Sequence, residues 1–127
     1  MKLTGSTAWT LAVTVLAGVF WAVAPALAAE TRCGWIANPT PGNWWLTDRQ
    51  ATWILRTQGR DYEPLGMDRI GDISAGEYVA SNGSYGYACA CAHVDTTVFD
   101  GEPYITAIHS FDLIPLARCE KDPALPR

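Results

Sequence analysis

Four cysteines constrain this chain more than any other feature, because two of them stand on one short segment. Cys89 and Cys91 are separated by a single residue. The other two, Cys33 and Cys119, lie far to either side of them. Residues i and i+2 of a strand share a face, but their Cα atoms stand roughly 6.5–7 Å apart, at or beyond the usual limit for a disulfide. We therefore expect each of the close pair to bond to one of the distant pair, in either of two pairings.

The N-terminal segment indicates the compartment in which such bonds form. No charged residue stands between Lys2 and Glu30. A positive Lys2, an apolar stretch at 8–24 and the sequence Ala26-Leu27-Ala28 are the three parts of a secretory signal peptide. We expect residues 1–28 to be a signal helix that is removed, leaving 29–127 as one periplasmic or secreted domain whose oxidising surroundings favour disulfides. The alternative is an uncleaved segment that anchors the chain, which is the only membrane contact we expect.

Past residue 29 the pattern is that of a small all-β domain, because turn-forming residues recur between short runs of β-branched and aromatic residues. Strands are predicted at 44–47, 52–57, 77–81, 85–94 and 104–111, and 113–119 closes the domain. Residues 58–76 are predicted to be a long loop, Asn82-Gly83-Ser84 a hairpin turn, and 95–103 a second connection. The predicted architecture is a meander of five to six strands forming a barrel or sandwich, of which a partly open oligosaccharide-binding-type barrel is one version.

The strand at 85–94 has two different faces. Every second residue from Tyr85 to His93 belongs to a face with two tyrosines and two cysteines, whereas the other face holds glycine, alanine and valine only. Small side chains allow a bulky neighbour to approach closely, and tryptophans are the expected neighbours. We predict that both faces are covered and that this strand is central.

The same segment permits two other kinds of chemistry. Cys89, Cys91 and His93 share a face and offer soft ligands for copper or zinc, with Cys33, Cys119 or His109 completing the site. A redox-active thiol pair is the other possibility, although thiol oxidoreductases normally place their cysteines where a helix begins. Structural disulfides are the interpretation that we favour, with no metal and no cofactor.

Adjacent tryptophans point to a binding surface. Trp44 and Trp45 must face opposite sides of a strand, so they cannot enter the same core. One interpretation buries both, one in the core and the other beneath the loop at 58–76. The other places one in an exposed aromatic platform that Tyr62, Tyr85 and Tyr87 extend and on which a ligand stacks.

Composition and motifs exclude several functions. The chain has 9 Lys+Arg against 13 Asp+Glu, a net charge of −4, and therefore no basic surface for nucleic acid. No nucleophile elbow or phosphate-binding loop occurs, and His93 and His109 are the only histidines. We expect a non-enzymatic domain whose partner is an envelope glycan, a small molecule or a protein, with thiol-redox or metal binding as the alternative.

Four blocks of the chain carry a resemblance to a known family. They are Cys33-Gly34-Trp35, residues 38–49, residues 82–91, and Pro115-Leu116 with Cys119 and Asp122-Pro123-Ala124-Leu125. In these blocks the chain resembles the bacterial family called domain of unknown function 4087, small exported proteins of the cell envelope. The family's turn after Thr-Asp-Arg typically holds Asp-Gly, whereas Gln50-Ala51 stands here. The resemblance implies export and the four-cysteine framework, and it brings no activity, cofactor or catalytic residue.

Overall fold

The computed structural model of the chain describes residues 2, 4–5, 7–19 and 29–126. Residues 4–5 and 7–19 contain no helix or strand, so the predicted signal helix is not confirmed. The expected cleavage sequence, Ala26-Leu27-Ala28, lies outside the described residues. In the part of the chain that is described, no helix has the length and apolar character needed to cross a membrane.

Residues 29–126 form one mixed sheet of six strands, followed by a short helix. The elements are β1 (Glu30–Asn38), β2 (Trp44–Thr47), β3 (Thr52–Arg56), β4 (Val79–Asn82), β5 (Tyr85–Phe99), β6 (Glu102–Ile114) and α1 (Leu116–Glu120). Two antiparallel meanders, β1-β2-β3 and β4-β5-β6, are joined by a parallel β3–β6 pair and an antiparallel β1–β5 pair. These two junctions close the sheet into a ring, and the predicted all-β class is confirmed.

Strand β5 is central, as its pattern predicted. It pairs with β1 along one side and with β4 and β6 along the other. Its small face turns inward, where Ala88, Ala90 and Val94 are at most 1% exposed. A Cβ at Gly86 would clash with the carbonyl oxygen of Val79, so only glycine allows β4 to approach this closely.

The inside of the ring is apolar. Its core consists of Ile36, Leu46, Trp53, Leu55, Ala88, Ala90, Ala92, Val94, Ile105 and Ile108, together with Ile70 and Ile73 from the long loop. Residues 58–76 contain two single 3₁₀ turns, Met67–Arg69 and Ile73–Ala75. Leu65 exchanges backbone hydrogen bonds with β6, from Leu65 N to Thr106 O (3.0 Å) and from Ile108 N to Leu65 O (2.7 Å). The loop is thus attached to the sheet, and its two isoleucines complete the core.

Two predicted segments differ from the structure. The connection expected at 95–103 is wrong, because β5 continues to Phe99 and β6 begins at Glu102. Only Asp100 and Gly101 form the turn, with φ of 51° and 76°, and positive φ at both central residues is the geometry of a two-residue type I′ hairpin. The closing segment at 113–119 divides into the end of β6 and the start of α1.

Candidate functional site

The outer face of the sheet carries an aromatic surface that the strand register assembles. Ala37 of β1 lies between Trp45 of β2 and Tyr87 of β5. In the next row, Trp35 lies between Thr47 and Cys89. Because side chains alternate along each strand, all members of these two rows point away from the core.

The C-terminal segment packs across this surface. A disulfide joins Cys89 of β5 to Cys119 of α1, with Cα atoms 5.8 Å apart. Both cysteines are buried, as is Leu125, and this cluster packs against Trp35, Ile114 and Leu116. The indole N–H of Trp35 donates to the carbonyl oxygen of Pro126 at 3.0 Å. The tail is therefore fixed beside the aromatic rows by one covalent bond and one hydrogen bond.

Between the tail and the sheet lies a cavity of about 630 Å³. It is lined by Trp35, Ala37, Trp45, Thr47, Tyr87, Glu120 and Pro126. The rings of Trp35 and Tyr87 meet at 90° with centroids 5.3 Å apart, so they form two perpendicular walls. Ala37 has no side chain long enough to fill the space between the larger rings. The volume lies within the usual range for a small-molecule site.

The structure places the five predicted ligand-binding residues at different points. Trp45 and Tyr87 line the cavity. Trp44 packs against the core, as the opposite facing of adjacent strand residues requires. Tyr85 is on the outer face of β5 but does not line the cavity, and Tyr62 lies elsewhere.

Sequence reasoning did not select Trp35, Thr47 or Glu120. The position of Trp35 had a signal, because Cys33-x-Trp35 places the indole on the same strand face as the cysteine. Glu120 had none, since its position depends on how the tail folds back.

Tyr62 belongs to a second cavity of about 350 Å³ near the β5–β6 hairpin. Its hydroxyl donates to the carbonyl oxygen of Ile105 at 2.5 Å, and its ring lies 5.2 Å from that of Tyr104. Burial, and then the neighbouring Tyr104, raise the pKa of Tyr62 above its ordinary value. Tyr62 therefore remains a neutral donor at physiological pH. Because its hydroxyl is bonded to the backbone of β6, Tyr62 helps to attach the loop at 58–76 to the sheet.

A buried ion pair stabilises the β2–β3 turn. Arg32 donates to Asp48 at 2.8 Å and to Gln50 at 2.6 Å, and its guanidinium lies 3.9 Å from the ring centroid of Trp53. Asp48 also accepts hydrogen bonds from the backbone N–H groups of Gln50 and Ala51 and from the Trp53 indole. Burial raises the pKa of Asp48, but these hydrogen bonds outweigh it and leave the pKa below its usual value. Gln50-Ala51 thus forms a turn in which the Gln50 side chain binds Arg32.

All four cysteines are oxidised in the structure. Besides the buried bond, Cys33 of β1 is joined to Cys91, its partner across β5, with Cα atoms 4.0 Å apart. This selects one of the two pairings that the sequence left open and confirms the prediction of disulfides. Since the sulfurs of Cys89 and Cys91 are both in disulfides, neither is a thiolate ligand. Among the described residues, no group of three or more His, Cys, Asp or Glu is arranged to hold a metal ion.

The two histidines lie close together within the β5–β6 pair, where the register shifts after His93. The rings of His93 and His109 are 5.9 Å apart. His93 hydrogen-bonds Thr31 at 3.2 Å, and His109 lies 3.1 Å from a carboxylate oxygen of Asp95. Neither histidine lines the aromatic cavity.

Comparison with protein-family models matches residues 27–126 to the family described as "Protein of unknown function (DUF4087)". The chain belongs to this family. The matched region contains both disulfides and all described residues that line the cavity, so the site is built from DUF4087 sequence. No curated protein matches the chain. No solved structure matches it either.

Proposed function

We propose that this DUF4087 protein is an exported, disulfide-linked binding domain that holds a small organic ligand in the aromatic cavity. The observation that carries the proposal is the cavity itself, of about 630 Å³ and lined by two indoles and a phenol. Ligand sites are concave and mostly apolar, with a few polar groups that fix orientation. Here Thr47, Tyr87 and Glu120 bring polar groups to the lining, and the aromatic rings provide the apolar walls.

The lining favours binding over catalysis. In the described part of the chain it contains no histidine and no cysteine, and Glu120 is its only carboxylate. General acid–base and nucleophilic catalysis normally require two or more cooperating groups within hydrogen-bond reach. A single carboxylate beside aromatic rings can orient a ligand but has no partner to relay a proton.

Export is supported by two features. The uncharged stretch before Glu30 ends in Ala26-Leu27-Ala28, a signal-peptidase pattern. Two disulfides in a domain of this size are typical of oxidising compartments. The intact mass of the protein recovered from the periplasm or the medium tests this proposal. A chain beginning at Ala29 supports it, and a retained Met1 contradicts it.

Two adjacent tryptophans provide a matched test of binding. Trp45→Ala removes a cavity wall, whereas Trp44→Ala removes a side chain that packs on the core. A thermal-shift screen would use monosaccharides, amino acids, organic cations and aromatic acids. At least one class should raise the Tm of the wild type and of Trp44→Ala, but not that of Trp45→Ala.

The same screen can reject the proposal. Trp44→Ala should itself lower the free energy of unfolding by about 2–3 kcal/mol, because it leaves a gap at the core. It is therefore a control for loss of a tryptophan on the opposite face of the strand. A ligand that stabilises Trp45→Ala as strongly as the wild type binds elsewhere. If no class stabilises the wild type, the cavity is not a small-molecule site.

A second candidate function is thiol–disulfide exchange. It rests on the exposure of Cys33, whose bond to Cys91 lies on the outer face of the sheet. The proposal is supported if the wild-type protein accelerates the reduction of insulin by dithiothreitol and the Cys33→Ser, Cys91→Ser double variant does not. Equal rates with wild type and variant would exclude it.

A further inference from the structure

We propose that the ligand of the aromatic cavity carries a quaternary ammonium or comparable organic cation, held against Trp35, Trp45 and Tyr87 and neutralised by Glu120. This inference rests on the proposed binding function and specifies its ligand class. Cations are attracted to the faces of aromatic rings, and cages of several rings are the established protein solution for methylated ammonium groups.

The first argument is the geometry of the rings. Trp35 and Tyr87 stand at 90° with centroids 5.3 Å apart, and Trp45 lies across Ala37 from Tyr87. A roughly spherical trimethylammonium group can contact two perpendicular walls at once, whereas a flat ring stacks on only one. Ala37 leaves the space between the rings open.

The second argument is preorganisation. The Trp35 indole is held on one side by its edge-to-face contact with Tyr87 and on the other by the hydrogen bond to Pro126 at 3.0 Å. A wall that is already fixed does not lose side-chain entropy when a ligand binds. The corner between the two rings is therefore already formed before a ligand binds.

The third argument is charge. Among the lining residues that the structure describes, Glu120 alone carries a full charge at neutral pH, and that charge is negative. Its basic neighbours Arg118 and Lys121 do not line the cavity. The chain as a whole is also acidic, with a net charge of −4. An anionic ligand would meet like charge here, and a cation would meet an opposite one.

The fourth argument is that two polar groups of the lining are already hydrogen-bonded within the protein, which disfavours a sugar. The indole N–H of Trp35 is already bonded to Pro126, and the Thr47 hydroxyl lies 3.0 Å from that of Thr52. A pyranose presents several hydroxyl groups that must be paired when they leave water. A quaternary ammonium group has no N–H and requires none of these partners.

The test compares choline with 3,3-dimethyl-1-butanol, which has the same shape but a carbon atom in place of the charged nitrogen. Titrations are followed by NMR on the indole N–H signals of ¹⁵N-labelled protein, because this readout measures millimolar Kd values. We expect choline to shift the Trp35 and Trp45 signals, with a Kd about threefold to tenfold lower than that of the neutral isostere.

Variants separate the contributions of charge and rings. Glu120→Gln should raise the Kd for choline about threefold at low salt, and less at high salt, because an exposed charge is screened. Glu77→Gln is the matched control, since Glu77 is exposed and outside the cavity lining, and it should leave the Kd unchanged. Trp45→Ala should weaken choline binding in both salt conditions.

The outcomes distinguish this inference from the proposed function. If the neutral isostere binds as tightly as choline, the cation inference is overturned while the binding function stands. The same holds if neither compound binds but another class in the thermal-shift screen does. If choline binds without any dependence on Glu120 or Trp45, the inference is overturned because the cation is bound elsewhere.

Discussion

Removing the buried disulfide by Cys89→Ala and Cys119→Ala should destabilise the domain and disrupt the cavity together. The bond closes a loop of 30 residues, and the chain entropy that it removes from the unfolded state corresponds to about 3.6 kcal/mol. The two cysteines are only 0% and 3% exposed, so their replacement also leaves a small gap. We therefore expect a total loss of about 4–5 kcal/mol in the free energy of unfolding.

The second disulfide provides the matched control. Cys33–Cys91 closes a longer loop of 58 residues, worth about 4.2 kcal/mol by the same relation. Its removal should therefore cost a similar amount of stability. It does not attach the tail, however, and β1 is also held in register by nine residue pairs with β5, whereas Cys119 directly precedes Glu120. We expect the two double variants to lose similar amounts of stability, but only loss of Cys89–Cys119 should weaken ligand binding.

The assay is urea unfolding followed by tryptophan fluorescence, combined with the choline titration at a temperature where each variant is folded. Leu125→Ala is a milder probe of the same tail, because Leu125 is 7% exposed and packs beside the buried disulfide. A loss below about 1 kcal/mol for the buried pair would refute the loop-entropy argument. Unchanged ligand affinity in that variant would refute the claim that the bond holds the cavity wall.

Three further changes test other parts of the structure. The pKa of Asp48 is lowered by folding, so its contribution to stability is complete above about pH 4 and is lost as the pH falls further. Asp48→Asn should therefore make the acid side of a plot of Tm against pH flatter. An unchanged slope would contradict this. Gly86→Ala should lower the free energy of unfolding by about 2 kcal/mol or more in urea, since β4 must move; a neutral result would show that β4 adapts freely. Graded dithiothreitol with alkylation and mass spectrometry should show that the exposed Cys33–Cys91 bond is reduced before the buried one; simultaneous labelling of all four cysteines would be inconsistent with that order.

The sequence predicted the sheet best where one strand face is buried. The alternation at 85–94 identified both the central strand and its two faces, because Ala88 and Ala90 are in the core while Tyr87 is not. The same rule missed the end of β5. There Val98 and Phe99 are 67% and 71% exposed, so the hairpin extends beyond the core and no burial pattern marks it. The local signal was Asp100-Gly101, which specifies the turn by its backbone preference alone.

The site could be predicted only in part, for a similar reason. Opposite facing of Trp44 and Trp45 follows from strand geometry, and the structure places one on the core and the other in the cavity. The wall formed by Glu120 and Pro126 does not follow from any local pattern. α1 has only five residues, too few to form a stable helix alone, and its position depends on a covalent bond to a distant strand.

The cysteine pairing and the arrangement of the site are therefore linked through the strand register. With Cys33 opposite Cys91, the register places Trp35 opposite Cys89 and Ala37 opposite Tyr87. If Cys33 were opposite Cys89 instead, β1 would shift by two residues and Trp35 would occupy the position that Ala37 now leaves open. The tail would then be bonded at Cys91, roughly 6.5–7 Å further from Tyr87 along the strand. The observed pairing is the one that separates the two large rings by a small residue and brings the acidic tail beside them.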